Sequence, residues 1–195
     1  MNPLTRSPAR PSITSVRPGR PRFPHRETDG ASALVTWVLP AGVAAATPPQ
    51  EDEGLTEWLR SLRHQGISVV LSLDIAVSLD STSLQRAHMH AIRCPLRPDA
   101  VPVERMTALC AGVLRLLRQG DRVAVHCDTR LERTALFAGA LLIWTGRPLG
   151  EAIEIAQHLS GDDVSAVTQR FLRDFQGAVA GVELTGAFGT RRLVG

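Results

Sequence analysis

Two periods run through the chain, one of two residues and one near 3.6, and they alternate as strands and helices do. Residues 33–39 read as a first strand, broken by Pro40 and Gly42. After Pro48 and Pro49, residues 51–64 carry acidic side chains in the first turn and Leu55, Trp58, Leu59 and Leu62 at helical spacing. Gly66 ends that helix, and residues 67–73 form a short β-branched run that predicts a buried strand. Residues 89–94 are a weaker strand, ending at Pro95.

A proline-rich loop fills 95–102. Val103, Met106, Cys110, Val113, Leu114 and Leu117 follow at spacings of three and four, which is the stripe of an amphipathic helix. Gly120 stops it, and residues 122–126 read as the most central strand. An almost wholly apolar helix is predicted over 133–145, with two more over 148–158 and 164–176. Strands alternating with helices predict a single α/β domain with a central, mostly parallel sheet flanked by helices. That domain is expected over 31–177, with residues 178–195 as a tail without clear period.

Composition changes this picture only at the N-terminus. All 22 basic residues are arginine, and six of them fall in residues 1–30 against Glu27 and Asp29. The whole chain carries +3, so the basic character belongs mostly to this leader. Six of the thirteen prolines lie there as well, with almost no large apolar residue, so it is expected to be a disordered, solubilising leader. Contact of the leader with nucleic acid or an acidic membrane is the alternative. No run of eighteen apolar residues suggests a membrane span. Three cysteines at irregular spacing do not make a disulfide framework, and a reducing, cytoplasmic setting is expected.

The candidate chemistry lies in residues 123–134, a strand, a seven-residue turn and a helix start. A loop entering a helix N-terminus turns its N–H groups inward and makes an anion site. Cys127 at its mouth is expected to have a lowered pKa and to act as a thiolate nucleophile. Arg133 can fork two hydrogen bonds onto an oxyanion. Thr134 is placed to hydrogen-bond the thiolate, and His126 to brace the loop.

These residues form the H-C-x5-R-[ST] signature, and the chain resembles the small dual-specificity phosphatases of the protein tyrosine phosphatase superfamily. Residues 37–42 are similar to that family's W-V-[IL]-P-G opening, and residues 66–73 to its G-[IV]-x-x-[LV]-[LV]-S-L strand. Pro95-Leu96-Arg97-Pro98-Asp99 resembles its general-acid loop, and Gln169 loosely matches the glutamine that positions the hydrolytic water. The resemblance covers about residues 33–176. The rhodanese loop is one residue shorter, and low-molecular-weight phosphatases carry theirs at the N-terminus.

The resemblance implies hydrolysis of a phosphate monoester, a phosphoprotein first of all, through a phosphocysteine intermediate and without metal or other cofactor. It implies Cys127 as nucleophile, Arg133 and the amides of Asp128, Thr129, Arg130, Leu131 and Glu132 as phosphate ligands, and Asp99 as general acid and base. The family loop reads H-C-x-x-G-x-G-R, so Arg130 and Glu132 stand where glycines are usual. Positive φ forced on them costs ~1–3 kcal/mol each. Asp128 and Glu132 also bring negative charge toward a dianion site, which Arg130 partly offsets. The alternative is an impaired pseudo-phosphatase that binds phosphorylated partners.

Other polar residues have simpler readings. Cys110 belongs to the core, while Cys94 is expected to be buried, with pairing to Cys127 as a redox guard the alternative. His64, His88, His90 and His158 lack metal-ligand spacing. Asp74 and Asp80 compete with Asp99 for the acid role, but Asp74 ends a strand and Asp80 sits in a polar turn, so both read as caps or surface.

Overall fold

The computed structural model describes residues 35–40, 42–49, 54–74, 79–127, 131–161 and 164–180, and the backbone of 182–185 and 190–193. The leader and the loop residues Asp128, Thr129 and Arg130 lie outside the described residues.

A five-stranded sheet forms from β1 (Val35–Leu39), β2 (Val43–Ala46), β3 (Val69–Ser72), β4 (His90–Arg93) and β5 (Val123–His126), in the order β1-β2-β5-β3-β4. Only β1 runs antiparallel, and the other neighbours pair in parallel. Helices α1 (Leu55–His64) and α2 (Ser81–Arg86) precede α3 (Val103–Arg118), α4 (Glu132–Trp144), α5 (Leu149–Ser160) and α6 (Ala166–Val179). The single α/β architecture agrees with the sequence.

Side-chain alternation sorts the core into two layers. Val69, Leu71, Val123 and Val125 pack with Met106, Cys110 and Leu114 of α3, the apolar α4, and residues of α5 and α6. Val70, Ala124, Ala44 and Ala46 face Trp58, Leu59 and Leu62 of α1 and Leu84 of α2. Parallel strands covered on both faces suit the short apolar runs seen in the sequence. Gly139 is where α4 meets α6: a Cβ there would come within 2.8 Å of Leu172.

Two elements escape the periodicity. Strand β2 is Val-Ala-Ala-Ala, whose alanines carry little strand preference, yet it bridges β1 and β5 through register rather than side chains. Helix α2 is six residues long and starts from Asp80, whose carboxylate accepts from the Ser83 amide at 2.8 Å. The Ser83 side chain and backbone hold that carboxyl below its usual pKa, consistent with the expected cap. The tail expectation is corrected: α6 runs to Val179, and Val182–Thr185 pairs antiparallel with Thr190–Leu193 as the hairpin β6–β7.

Candidate active site

The carboxyl ends of β3, β4 and β5 share one edge of the sheet, because Ser72 registers with both Arg93 and His126. Ligands of parallel α/β sheets bind outside such ends. The Leu73 amide donates to the His126 carbonyl at 2.9 Å, and the Cys94 amide to the Ser72 carbonyl at 2.9 Å. The Leu96 amide donates to the Leu73 carbonyl at 3.1 Å, so the proline-rich loop is stitched to the end of β3.

Strand alternation then separates His126 from Cys127. Cys127 is fully buried with the α3–α6 layer, whereas His126 turns to the α1 side and meets Trp58 edge-on at 5.6 Å. Among the described residues, neither ring nitrogen of His126 has a hydrogen-bond partner. Burial pushes its pKa down to about 4; the Cys127 backbone and the Asp74 charge pull only weakly the other way. The backbone influence falls short of a bond at ordinary geometry, so His126 packs at the strand end as a neutral ring.

Helix α4 begins immediately beyond the loop, and its N-cap residue, Leu131, makes no side-chain capping bond. Arg133 and Thr134 occupy that turn. The Thr134 hydroxyl is buried and donates to the Cys127 sulfur at 3.2 Å. Arg133 Nε donates to the Leu96 carbonyl at 3.1 Å, and its Nη1 to Asp74 Oδ2 at 3.1 Å.

Leu131 is the helix cap and adopts φ 53°, ψ 13°. This corrects the expected strain at Glu132, which is already helical; Leu131 is left-handed instead, and the expectation for Arg130 lies outside the described residues. Its partly buried side chain packs on the core, which holds it there. Asp74 is likewise reassigned. It is neither cap nor surface but a buried partner of Arg133 that the sequence reading missed. The available signal was its place one residue beyond β3, next to the strand that carries the cysteine.

Asp99 is less integrated. Its carboxylate is 64% exposed and pairs with Arg97 at 3.5 Å, in a turn closed by the Ala100 amide on the Arg97 carbonyl. Gln169 spends its amide locally, donating to the Val164 carbonyl at 3.0 Å and accepting from Arg173 at 3.1 Å. Cys94 is half-buried and, like Cys110 and Cys127, forms no disulfide. By register Cys94 and Cys127 extend β4 and β5, with β3 between, so their backbones stand about 9.6 Å apart. A disulfide needs less than about 7 Å, so the redox-guard pairing is excluded without backbone movement. No group of three or more metal-ligating side chains occurs among the described residues.

The family model described as "Polymorphic toxin system, DSP-PTPase phosphatase" matches residues 44–147, more than half of the chain. The chain belongs to this family. This DSP-PTPase is thus a phosphoric monoester hydrolase of the tyrosine/dual-specificity type, and a phosphorylated substrate follows in general terms.

Solved structures share its fold at low identity. A cysteine-to-serine variant of P. aeruginosa TpbA in complex with phosphotyrosine aligns at TM-score 0.63 and 17% identity, covering 84% of this chain and 99% of that one. Tk-PTP in the active form gives 0.59 and 18%, covering 73% and 96%. PTPMT1 in complex with PI(5)P gives 0.58 and 16%, covering 72% and 93%. No curated protein matches. Among the described residues of this DSP-PTPase, no helix is long and apolar enough to cross a membrane.

Proposed function

We propose that this DSP-PTPase hydrolyses phosphate monoesters through a phosphocysteine intermediate, with phosphoproteins as its substrate class. The observation that carries the reading is the Thr134 hydroxyl on the Cys127 sulfur at the start of α4. A sulfur at a helix N-terminus with a donor on it favours the thiolate, the form that attacks.

In the first step the Cys127 sulfur bonds to phosphorus in line as the ester P–O bond breaks. Arg133 and the amides of residues 128–132 hold the equatorial oxygens. Asp99 gives its proton to the leaving oxygen. Water then attacks phosphorus, Asp99 takes a proton from it, and the P–S bond breaks to return thiolate and inorganic phosphate. The Thr134 hydroxyl stabilises the sulfur as it leaves. Gln169 is engaged elsewhere and takes no part in this scheme.

The TpbA complex with phosphotyrosine supports the phosphoprotein class, and the PTPMT1 complex with PI(5)P supplies the competing one. The family description names a polymorphic toxin system, which extends the reading to a phosphatase that acts as a toxin. A reducing compartment suits it, since oxidation of the thiolate ends turnover.

The test is turnover of p-nitrophenyl phosphate, phosphotyrosine and phosphoserine peptides and PI(5)P by wild type and Cys127→Ser. Serine supplies no thiolate at neutral pH, so the variant is expected to bind without turnover. Expression of the wild type, and not of Cys127→Ser, should slow bacterial growth. Binding with no turnover in either protein selects the pseudo-phosphatase instead.

A further inference from the structure

Asp74 lies outside the H-C-x5-R-[ST] signature, yet it holds the signature arginine. Its side chain is 12% exposed, that of Arg133 27%, and Oδ2 stands 3.1 Å from Nη1. The second anchor of the guanidinium is the Leu96 carbonyl on Nε. Both anchors ride on one rigid piece, because Asp74 follows Leu73, and Leu73 accepts the Leu96 amide. A planar guanidinium held at two different nitrogens has a fixed plane.

We propose that Asp74 is a positioning residue that sets the plane and the effective charge of Arg133. The proposal rests on the phosphatase reading above in one respect: Arg133 must be the phosphate ligand. A carboxylate on a guanidinium is an acceptor and not a proton donor, so Asp74 does not share the acid role of Asp99. It lowers the positive potential that a bound dianion meets, and in exchange keeps the fork in the orientation that matches the reacting phosphoryl group. Its two contributions pull KM and kcat in different directions, which a merely structural carboxylate does not do.

Two variants separate them. Asp74→Asn keeps an oxygen acceptor for Nη1 and removes the charge, whereas Asp74→Ala removes both. With p-nitrophenyl phosphate, Asp74→Asn should lower KM about threefold or more while kcat changes little. Asp74→Ala should lower kcat by about 10²-fold, the cost of a misplaced catalytic contact. Tungstate binding by calorimetry should tighten about threefold in Asp74→Asn and requires no turnover. If wild type shows no turnover, the phosphatase reading fails, and the tungstate titration alone decides the role of Asp74. Tungstate affinity within twofold of wild type in Asp74→Asn overturns the proposal. So does a loss of kcat that is equal in the two variants and parallels their loss of melting temperature. Should Asp74→Ala not fold, Asp74→Ser, whose shorter side chain withdraws the acceptor from Nη1 and removes the charge, supplies the kcat readout, and Asp74→Asn still supplies the tungstate readout.

Discussion

The Thr134 hydroxyl and the Cys127 sulfur, seven residues apart in sequence, meet at 3.2 Å, and both are fully buried. The turn between strand β5 and helix α4 brings them together, so the contact is a consequence of loop length. A hydrogen bond to a charged group contributes about 1.5–3 kcal/mol. Thr134→Ala should therefore lower kcat about 10- to 100-fold, with the larger loss in breakdown of the intermediate, where sulfur is the leaving group. Pre-steady-state kinetics should then show a larger burst relative to the steady rate. Thr134→Ser, which keeps the hydroxyl, should recover most of the rate.

His126 predicts a pH dependence of stability. Its pKa in the folded chain is about 4, against roughly 6.5 when unfolded. Between these values the unfolded chain binds the extra proton, so stability is full above about 6.5 and is lost as pH falls toward 4. The window corresponds to a loss on the order of 3 kcal/mol. The melting temperature of His126→Gln should fall less steeply over that range than that of wild type. Parallel curves would remove His126 as the cause.

The cap of α4 gives a test of loop strain. A non-glycine residue in the left-handed region costs ~1–3 kcal/mol, and here that residue is Leu131. Leu131→Gly relieves the strain but gives up side-chain packing on the core, so its melting temperature should change little. Glu132→Gly relieves nothing, because Glu132 is helical; it removes a first-turn carboxylate that suits the helix dipole. That variant should lose about 1 kcal/mol, the cost of glycine in a helix. If Glu132→Gly is instead the more stable of the two, the left-handed residue has been misplaced.

What the sequence made legible follows from the range of the interactions involved. The α3 stripe and the valines of β5 announce themselves because each residue's partner face repeats within one turn or two residues. The cysteine, threonine and arginine were readable because one turn contains all three. Asp74 was not, since its partner is 59 residues away and only strand order brings them together. Strand β2 was hidden for a related reason: its alanines carry no pattern, and its place comes from β1 and β5 on either side. The strain at Leu131 reflects how the chain enters α4, which no motif spacing specifies.

Asp99 provides the last test, because its position is where sequence and structure agree least closely. Its loop is tied to Arg133 through the Leu96 carbonyl, three residues away, while its own carboxylate is mostly in solvent beside Arg97. For Asp99 to protonate a leaving oxygen, the turn over residues 97–100 must swing inward. Removing a positioned acid costs ~10²–10⁴-fold in rate, so Asp99→Asn should fall in that range with phenyl phosphate. With p-nitrophenyl phosphate, whose leaving group needs less protonation, the loss should shrink. Arg97→Ala frees the carboxylate from its solvent-side partner, and should raise kcat modestly if the inward swing limits turnover. An Asp99→Asn loss that is equal for both esters would assign the acid to another group and leave Asp99 as a surface carboxylate paired with Arg97.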